Sequence, residues 1–516
     1  MLAIDLGTSG CKGAVVSLEG RVAGAARVAI ETMHLPDGGA EQDPQAVWAA
    51  VTSASREAVH RSGVAPRDLR AVICTGQYSS VVPVGADGDP TANMILWLDR
   101  RGAPDRLRRL PGYPRGGDSP LRLLRWLRVH GLPPVAGGLT LAHLRYLRYA
   151  RPEVYARTAT FLEPTDYIAM RLTGRATANA CTAFMFLVTD NRRTGVYGYD
   201  ARLVRYAGID RDKLPELVPV DAVVGTVLPQ IAREIGVTPD TPVITGLNDT
   251  QAGALGTAAF RGTHAAISLG STSVMVTHAL RRRTDVRHAI LSMPSPVPDT
   301  RLVMAENGAG AAGLDHLLGT LCPDGAEGTD SRYARLEEVV EATPPGSGGV
   351  LYLPWIGGSM APCADGRMRG GFLNLGLATT RGELARAVLE GIALNLRWLR
   401  DPVERFVGRR FSHFVLYGGG AASDAWSQIL ADALDRPVHQ AERPQSVAAV
   451  GAGLLAFERL GLLGFDDFAG RVAIRRVYEP QPAHRALYEA RAGQLVEAFR
   501  RTRPLFHALN DTETGR

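Results

Sequence analysis

Short apolar runs separated by Gly-containing turns open the chain. Leu2-Ala3-Ile4-Asp5, residues 11–17 and residues 22–30 read as three strands, with Glu19-Gly20 at the second turn. The period then lengthens. Behind Pro44, the valines Val47, Val51 and Val59 recur at helical spacing, so a helix is expected to begin near that proline. "LRAVICTGQ" (69–77) is a continuous apolar run ending in Gly, as a buried strand would be. Residues 100–160 are rich in Arg, Pro and Gly and predict an irregular insertion. In "LEPTDYIAMRLTG" (162–174), Pro164 suits the first turn of a helix and Gly174 its end.

The second half starts the cycle again. "TPVITGLNDTQAGALG" (241–256) reads as a strand, a Gly-bounded turn, and a helix small enough in its side chains for two backbones to approach. A second hairpin follows at 265–278. In "TRGELARAVLEGIALNLRWL" (380–399), Thr380 and Glu383 form a capping box, and Leu384, Val388, Ile392 and Leu396 share one face. "FSHFVLYGGGAASDAWSQILADAL" reads as strand, glycine turn, helix. "SVAAVGAGLLAF" (446–457) is a small-residue helix suited to a ligand or domain interface.

One repeat spans these halves. "LAIDLGTSG" (2–10) and "AAISLGSTS" (265–273) both run an apolar strand into Leu-Gly-[Ser/Thr]-[Ser/Thr], and each precedes a second apolar run. The copies differ before the Leu-Gly, with Asp5 in the first and Ser268 in the second. Two related halves with different duties in one site are implied.

With 516 residues the chain exceeds one ordinary core. We expect domains at 1–250 and 251–480, with a helical tail at 481–516. No apolar run reaches membrane length and Met1 leads straight into a strand, so a cytoplasmic chain without a membrane segment is expected. The five cysteines are scattered and form no metal or disulfide pattern. Net charge is only +6, carried almost wholly by arginine, since Lys12 and Lys213 are the two lysines. Basic stretches at 122–128 and 281–288 lack the aromatic interleaving of a nucleic-acid surface, so no nucleic-acid partner is expected.

A tight Gly/Ser/Thr turn between strands exposes successive backbone N–H groups, which hold anions such as phosphate. Two such turns and the Gly418-Gly419-Gly420 loop point to a nucleotide, although no GxxxxGK[ST] occurs. Asp5, ending the first strand, suits Mg²⁺, or it caps its own turn. Asp249, at a helix start, is either an N-cap or a general base for an attacking hydroxyl.

These motifs resemble the FGGY carbohydrate kinases, and among them xylulokinases. The resemblance rests on "IDLGTSG" with Cys11-Lys12, "GLNDTQAGALGTA" (246–258), "AAISLGSTS", "LYGGGAASDAWSQILAD" (416–432) and "RGGFLNLGLATTRGELARAVLEG" (369–391). "AEQDPQAVW" (40–48), "ILWLDRR" (95–101) and "LEPTDYIAMRLTG" also align, so the likeness covers nearly the whole chain. It implies an α/β fold of two actin-like, ribonuclease-H-type domains with ATP and a sugar in the cleft between them. It also implies phosphoryl transfer from ATP to a hydroxyl of a small sugar, ketose or polyol, with Asp249 as base and Asp5 toward Mg²⁺. Thr8, Gly270, Ser271 and Thr272 would serve the phosphates, and Gly419, Gly420, Ser423 and Asp424 the adenosine. Gln77, Tyr78, Ser79, Trp97, Asp99 and Asp249 would meet the substrate. A homodimer is the assembly to test. The alternatives are a non-kinase actin-like ATPase and a catalytically silent sugar-sensing relative.

Departures from the xylulokinase pattern gather on the sugar side. Met-His-Gly becomes Tyr78-Ser79-Ser80, and Trp-Asn-Asp becomes Trp97-Leu98-Asp99. Gly-Glu-Arg-x-Pro becomes Gly358-Ser359-Met360-Ala361-Pro362, and a usual Lys and Trp become His143 and Tyr146. Asn374 stands where Gly is usual. A site rebuilt in its polar groups selects a different substrate, so D-xylulose is expected to be a poor one.

Overall fold

The computed structural model describes residues 1–114, 119–308, 310, 314 and 329–510. Its frame is one sheet design used twice. In the first half, Leu2–Gly7, Gly10–Val16 and Val22–Ala29 form an antiparallel meander. Val72–Gly76 then adds parallel to Leu2–Gly7, and Pro242–Asn248 adds parallel to Val72–Gly76. In the second half, Ala265–Leu269 and Ser273–Ala279 form the hairpin and Arg301–Glu306 extends it. Phe414–Tyr417 and Val438–Ala441 add in parallel on the other side. Extra antiparallel strands close the edges, giving sheets of 6 and 7 strands. The half-length repeat in the sequence is thus a repeat of topology, and this is the expected ribonuclease-H-type pair.

Helices cover both frames. Pro44–Ser62 begins at Pro44, is capped by Asp43, and buries Val47, Val51 and Val59 as its spacing predicts. Arg381–Val407 carries the expected Thr380/Glu383 capping box and runs beyond residue 399, with Pro402 inside it. Pro164–Thr173 stops at Gly174 in the left-handed conformation. Asn374 takes a φ of 65°, the region its usual glycine would allow, and donates to the Gly349 carbonyl at 3.1 Å.

The segment 100–160 corrects the expectation of irregular chain. It contains the helices Pro120–Val129, Thr140–Ala150 and Pro152–Arg157. Trp126, Leu141, Leu144 and Leu147 are buried in a core with Phe161 and Phe186. Arginine stems lie between these apolar positions and blur their period, although such stems pack as readily as they solvate.

The two halves meet at a helix pair, Asp249–Gly256 against Val447–Arg459. A Cβ at Gly451 would run into the Ala252 carbonyl, and one at Gly256 into the Val447 carbonyl, so the small residues are required by the approach. Val447–Arg459 also packs on the first sheet, with Leu454 and Leu455 buried in a cluster beside Ile73 and Leu247. Arg485–Leu509, within the expected tail, buries Tyr488, Leu495 and Phe499 in the second core.

The two basic stretches of the sequence also meet across the halves. Arg282 donates to the carbonyls of Arg128 and Val129, and Thr284 donates to Gly131 O at 2.9 Å. Cations at a helix C-terminus satisfy carbonyls left without partners. Cys11, Cys74, Cys181 and Cys363 are free thiols, and Cys322 lies outside the described residues. Among the described residues no helix is long and apolar enough to cross a membrane.

Candidate active site

The ends of strands from both sheets gather around Asp249. Asn248, not Asp249, is the N-cap of the helix Asp249–Gly256, accepting from Gln251 N at 2.8 Å. Asp249 is therefore released from capping and stands half-buried at the first helical position. Its pKa is pushed up to about 7, first by burial and next by the charge of Asp5, with Glu306 adding to the effect. Hydrogen bonds from Thr250 act the other way and are outweighed.

Asp5 differs through its partner. The hairpin register sets Asp5 opposite Lys12, and Lys12 Nζ lies 3.5 Å from Asp5 Oδ2. The same Nζ donates to Gln445 O at 3.3 Å, so it touches both halves. In the second hairpin the corresponding pair is neutral, Ser268 opposite Val274. The second copy thus leaves its charge-bearing duty to the first.

The second hairpin brings Gly270, Ser271 and Thr272 to the other wall, where Gly270 N donates to Thr272 O at 3.0 Å. Ser271 is exposed. The Thr272 hydroxyl bonds Glu306, whose pKa burial raises. Tyr417 ends the next strand, bonds Ser268, and fills the space left by Gly253, where a Cβ would strike its ring. The glycine loop begins at Gly418, with φ 92°, where any Cβ would meet Leu269 O. Nothing lies within 4 Å of the Cβ position of Gly419, which leaves an open backbone face.

On the first-half side, Thr8, Gln77 and Trp97 form one network. Thr8 Oγ1 donates to Gln77 Oε1 at 2.9 Å and accepts from Trp97 Nε1 at 3.0 Å. The Thr8 hydroxyl is thereby engaged, leaving its turn to offer backbone N–H groups. Tyr78 reaches over the cleft, its hydroxyl donating to Met304 Sδ at 2.9 Å. Its pKa is raised well above 10 by burial and by the charges of Glu306 and Asp249, which marks it as their neighbour.

Several expected residues are held elsewhere. Asp99 is fully buried, and its carboxylate is taken up by Arg101, at 2.6 and 2.9 Å, and by Ala40 N at 3.0 Å. It braces the strand behind Trp97 and does not face the cleft. Ser79 is buried, and the Ser80 hydroxyl turns back to accept from Trp97 N at 3.1 Å. Ser423 caps the helix Asp424–Leu434 and donates to Glu337 Oε2 at 2.5 Å. Asp424 is spanned by Gln440, Arg475 and Arg476.

Sequence reasoning passed over Gln42, Lys12, Glu306 and Tyr417. Gln42 is fully buried, donates to Thr8 O at 2.7 Å and accepts from Gln77 Nε2 at 3.4 Å, tying the first turn to Gln77. Lys12 carried a signal, as one of two lysines in an arginine-rich chain. Glu306 ends its strand just before Asn307-Gly308, and the altered loop 358–362 touches it through Ala361 N to Glu306 O at 2.9 Å.

Residues 1–256 match the N-terminal domain of the FGGY family of carbohydrate kinases, and residues 265–458 match its C-terminal domain. A xylulose kinase of Bacillus subtilis (strain 168) is 28% identical over 459 residues, covering 88% of this chain and 87% of that protein. The solved structure of a ligand-bound xylulose kinase from Lactobacillus acidophilus resembles this one with a TM-score of 0.85 at 21% identity, over 99% of both chains. A gluconate kinase from Lactobacillus acidophilus gives 0.83 at 22%, over 97% of this chain and 98% of that one. Those two likenesses show the shared fold. The family matches span both hairpins, the Asp249 segment and the glycine loop, and the chain belongs to the FGGY family of carbohydrate kinases, phosphotransferases that act on sugar hydroxyls.

Proposed function

We propose that this enzyme transfers the γ-phosphate of ATP to a hydroxyl of a small polyhydroxylated acceptor (a sugar, ketose, polyol or cyclitol) for which D-xylulose is a poor substitute. The observation that carries this reading is Asp249, a half-buried carboxyl with its pKa pushed up to about 7 between the two hairpins. A base poised near neutrality can accept the proton of a sugar hydroxyl as it attacks, which is the proton transfer the reaction needs.

The 270–272 turn, through the exposed Ser271 hydroxyl, is assigned to the phosphates, with Lys12 as a cation beside it. The open face at Gly419 suits a flat base, while Gly420 is closed off by Trp426 and Leu269. Tyr78, Gln77 and Trp97 wall the acceptor side, with Gln42 and Asp99 fixing them from behind. Mg²⁺ fits the donor set. Asp5 faces Asp249, the two repel, and an oxygen-rich wall of this kind matches an ion held by one or two carboxylates, phosphate oxygens and water. Among the described residues no three His, Cys, Asp or Glu side chains converge to hold a metal by themselves, consistent with an ion that arrives with the nucleotide. Bound there, it would neutralise charge on the transferred phosphoryl group.

The test is Asp249→Asn. Acceptor-dependent turnover should fall roughly 10²–10⁴-fold, the usual worth of a positioned base, with ATP affinity nearly intact. A variant keeping more than half of wild-type turnover at saturating acceptor would remove Asp249 from the role.

A further inference from the structure

We propose that Glu163, with Thr140 and His143, is a clamp that positions the acceptor-facing turn 78–80 and so sets the acceptor specificity of the enzyme. The inference rests on the acceptor-side reading of that turn.

The turn needs holding. Ser79 has a φ of 58°, a left-handed conformation that few non-glycine residues adopt unless their surroundings impose it. The surroundings here are specific hydrogen bonds. His143 Nε2 donates to Ser79 O at 3.1 Å. Ser80 N donates to Glu163 Oε2 at 3.2 Å, and the Ser80 hydroxyl accepts from Trp97 N at 3.1 Å. The far oxygen of Glu163 is bonded by the Thr140 hydroxyl.

Glu163 is 1% exposed and, among the described residues, makes no ion pair. A carboxyl buried in this way carries a desolvation cost that a leucine would avoid, so its backbone and hydroxyl contacts are what it supplies. Burial holds its pKa well above the usual carboxyl range. His143 is likewise buried, and it is neutral, its pKa lowered to about 4 by burial.

The two departures from the xylulokinase pattern, at 78–80 and at 143, are bonded to each other although 64 positions separate Ser79 from His143. They are therefore one structural change. Its product is the placement of Tyr78, which projects from this turn across the cleft to Met304 and toward Asp249. Glu163 and His143 themselves stay behind the wall, so their action is through the turn and not on the acceptor.

The experiment compares wild type with Glu163→Ala, Glu163→Gln and Thr140→Val. It reads acceptor KM and ranking, ATP KM, and amide hydrogen exchange over residues 77–82. In Glu163→Ala the acceptor KM should rise about tenfold or more with an altered ranking, matching one lost buried partner. ATP KM should stay within about twofold, and the 77–82 amides should exchange at least about tenfold faster, as expected for a turn released locally. Thr140→Val should move the same readouts less. Glu163→Gln can accept from Ser80 N and donate to Thr140, and should stay within about threefold of wild type because both bonds survive. A folded Glu163→Ala with unchanged acceptor KM, ranking and exchange overturns the clamp, as does a Gln variant as damaged as Ala. If wild type shows no acceptor-dependent ADP release at all, the functional reading falls, and the exchange measurement alone decides the clamp.

Discussion

Asp5 and Asp249 stand close enough in the cleft to influence each other, and their surroundings assign them different work. Asp5 has Lys12 across the hairpin, whereas Asp249 accepts from Thr250 and faces two further carboxyls. The asymmetry gives Asp5 a cationic partner and leaves Asp249 as the carboxyl that takes up a proton. On this assignment kcat/KM for the acceptor should climb with pH and level off above about 7, falling roughly tenfold per pH unit on the acid side. A flat profile between pH 5.5 and 8.5 would count against Asp249 as the base. Stability should respond in the opposite sense. Because the folded pKa lies above the ordinary 3.8, this group's contribution is full below about 3.8 and is lost as pH rises through about 7. Asp249→Asn should then raise the melting temperature more at pH 8.5 than at pH 5, by about 1–3 °C at the higher pH. At this scale the sequence revealed which residues could be charged at strand ends, but not who would bind them. Asp99 and Ser423 looked available by position, yet Arg101 and Glu337 occupy them, and those partners come from tertiary packing.

The helix pair at the centre shows what is legible at the scale of an element. Runs of Ala and Gly at 249–256 and 446–457 predicted close backbone approach, because small side chains have few other uses in a helix. The structure packs those two segments against each other. Gly451→Ala should cost roughly 1–3 kcal/mol, the range for overpacking, since its new methyl meets backbone that has nowhere to move. Chemical denaturation would read this, and a variant as stable as wild type would mean the pair can separate freely. The helices between 120 and 157 were the illegible elements. Their apolar positions, such as Leu141, Leu144 and Leu147, are spaced correctly, but arginines fill the interval and local composition alone cannot tell a packed stem from a solvated one.

Across the whole molecule, one topology is used twice and differentiated by a few residues at strand ends. The first half keeps Asp5 and supplies Asp249, while the second keeps the neutral hairpin and the glycine loop. The halves touch at the helix pair, through Tyr78 to Met304, and through Arg282 to the end of the helix Pro120–Val129. Arg282→Ala removes charge-assisted bonds to two carbonyls and should lower stability by about 1–3 kcal/mol, while small-angle scattering should show the halves further apart. Scattering and melting unchanged from wild type would show that this contact does not hold them. Closure of such a cleft around both ligands would exclude water, the competing phosphate acceptor. The repeat, and with it the two-half design, was visible in two nine-residue strings. The contacts that join the halves were not, because they link residues from 153 to 433 positions apart.

Phosphoryl transfer to an acceptor selected by a rebuilt sugar side is open to a kinetic test. Initial rates of ADP release from ATP would be recorded with a panel of ketoses, polyols and cyclitols, D-xylulose included. Release should depend on the acceptor, with at least one compound exceeding D-xylulose by about tenfold or more in kcat/KM, the effect of one mismatched buried polar contact. ADP release indifferent to every acceptor, or D-xylulose as the preferred one, would contradict it.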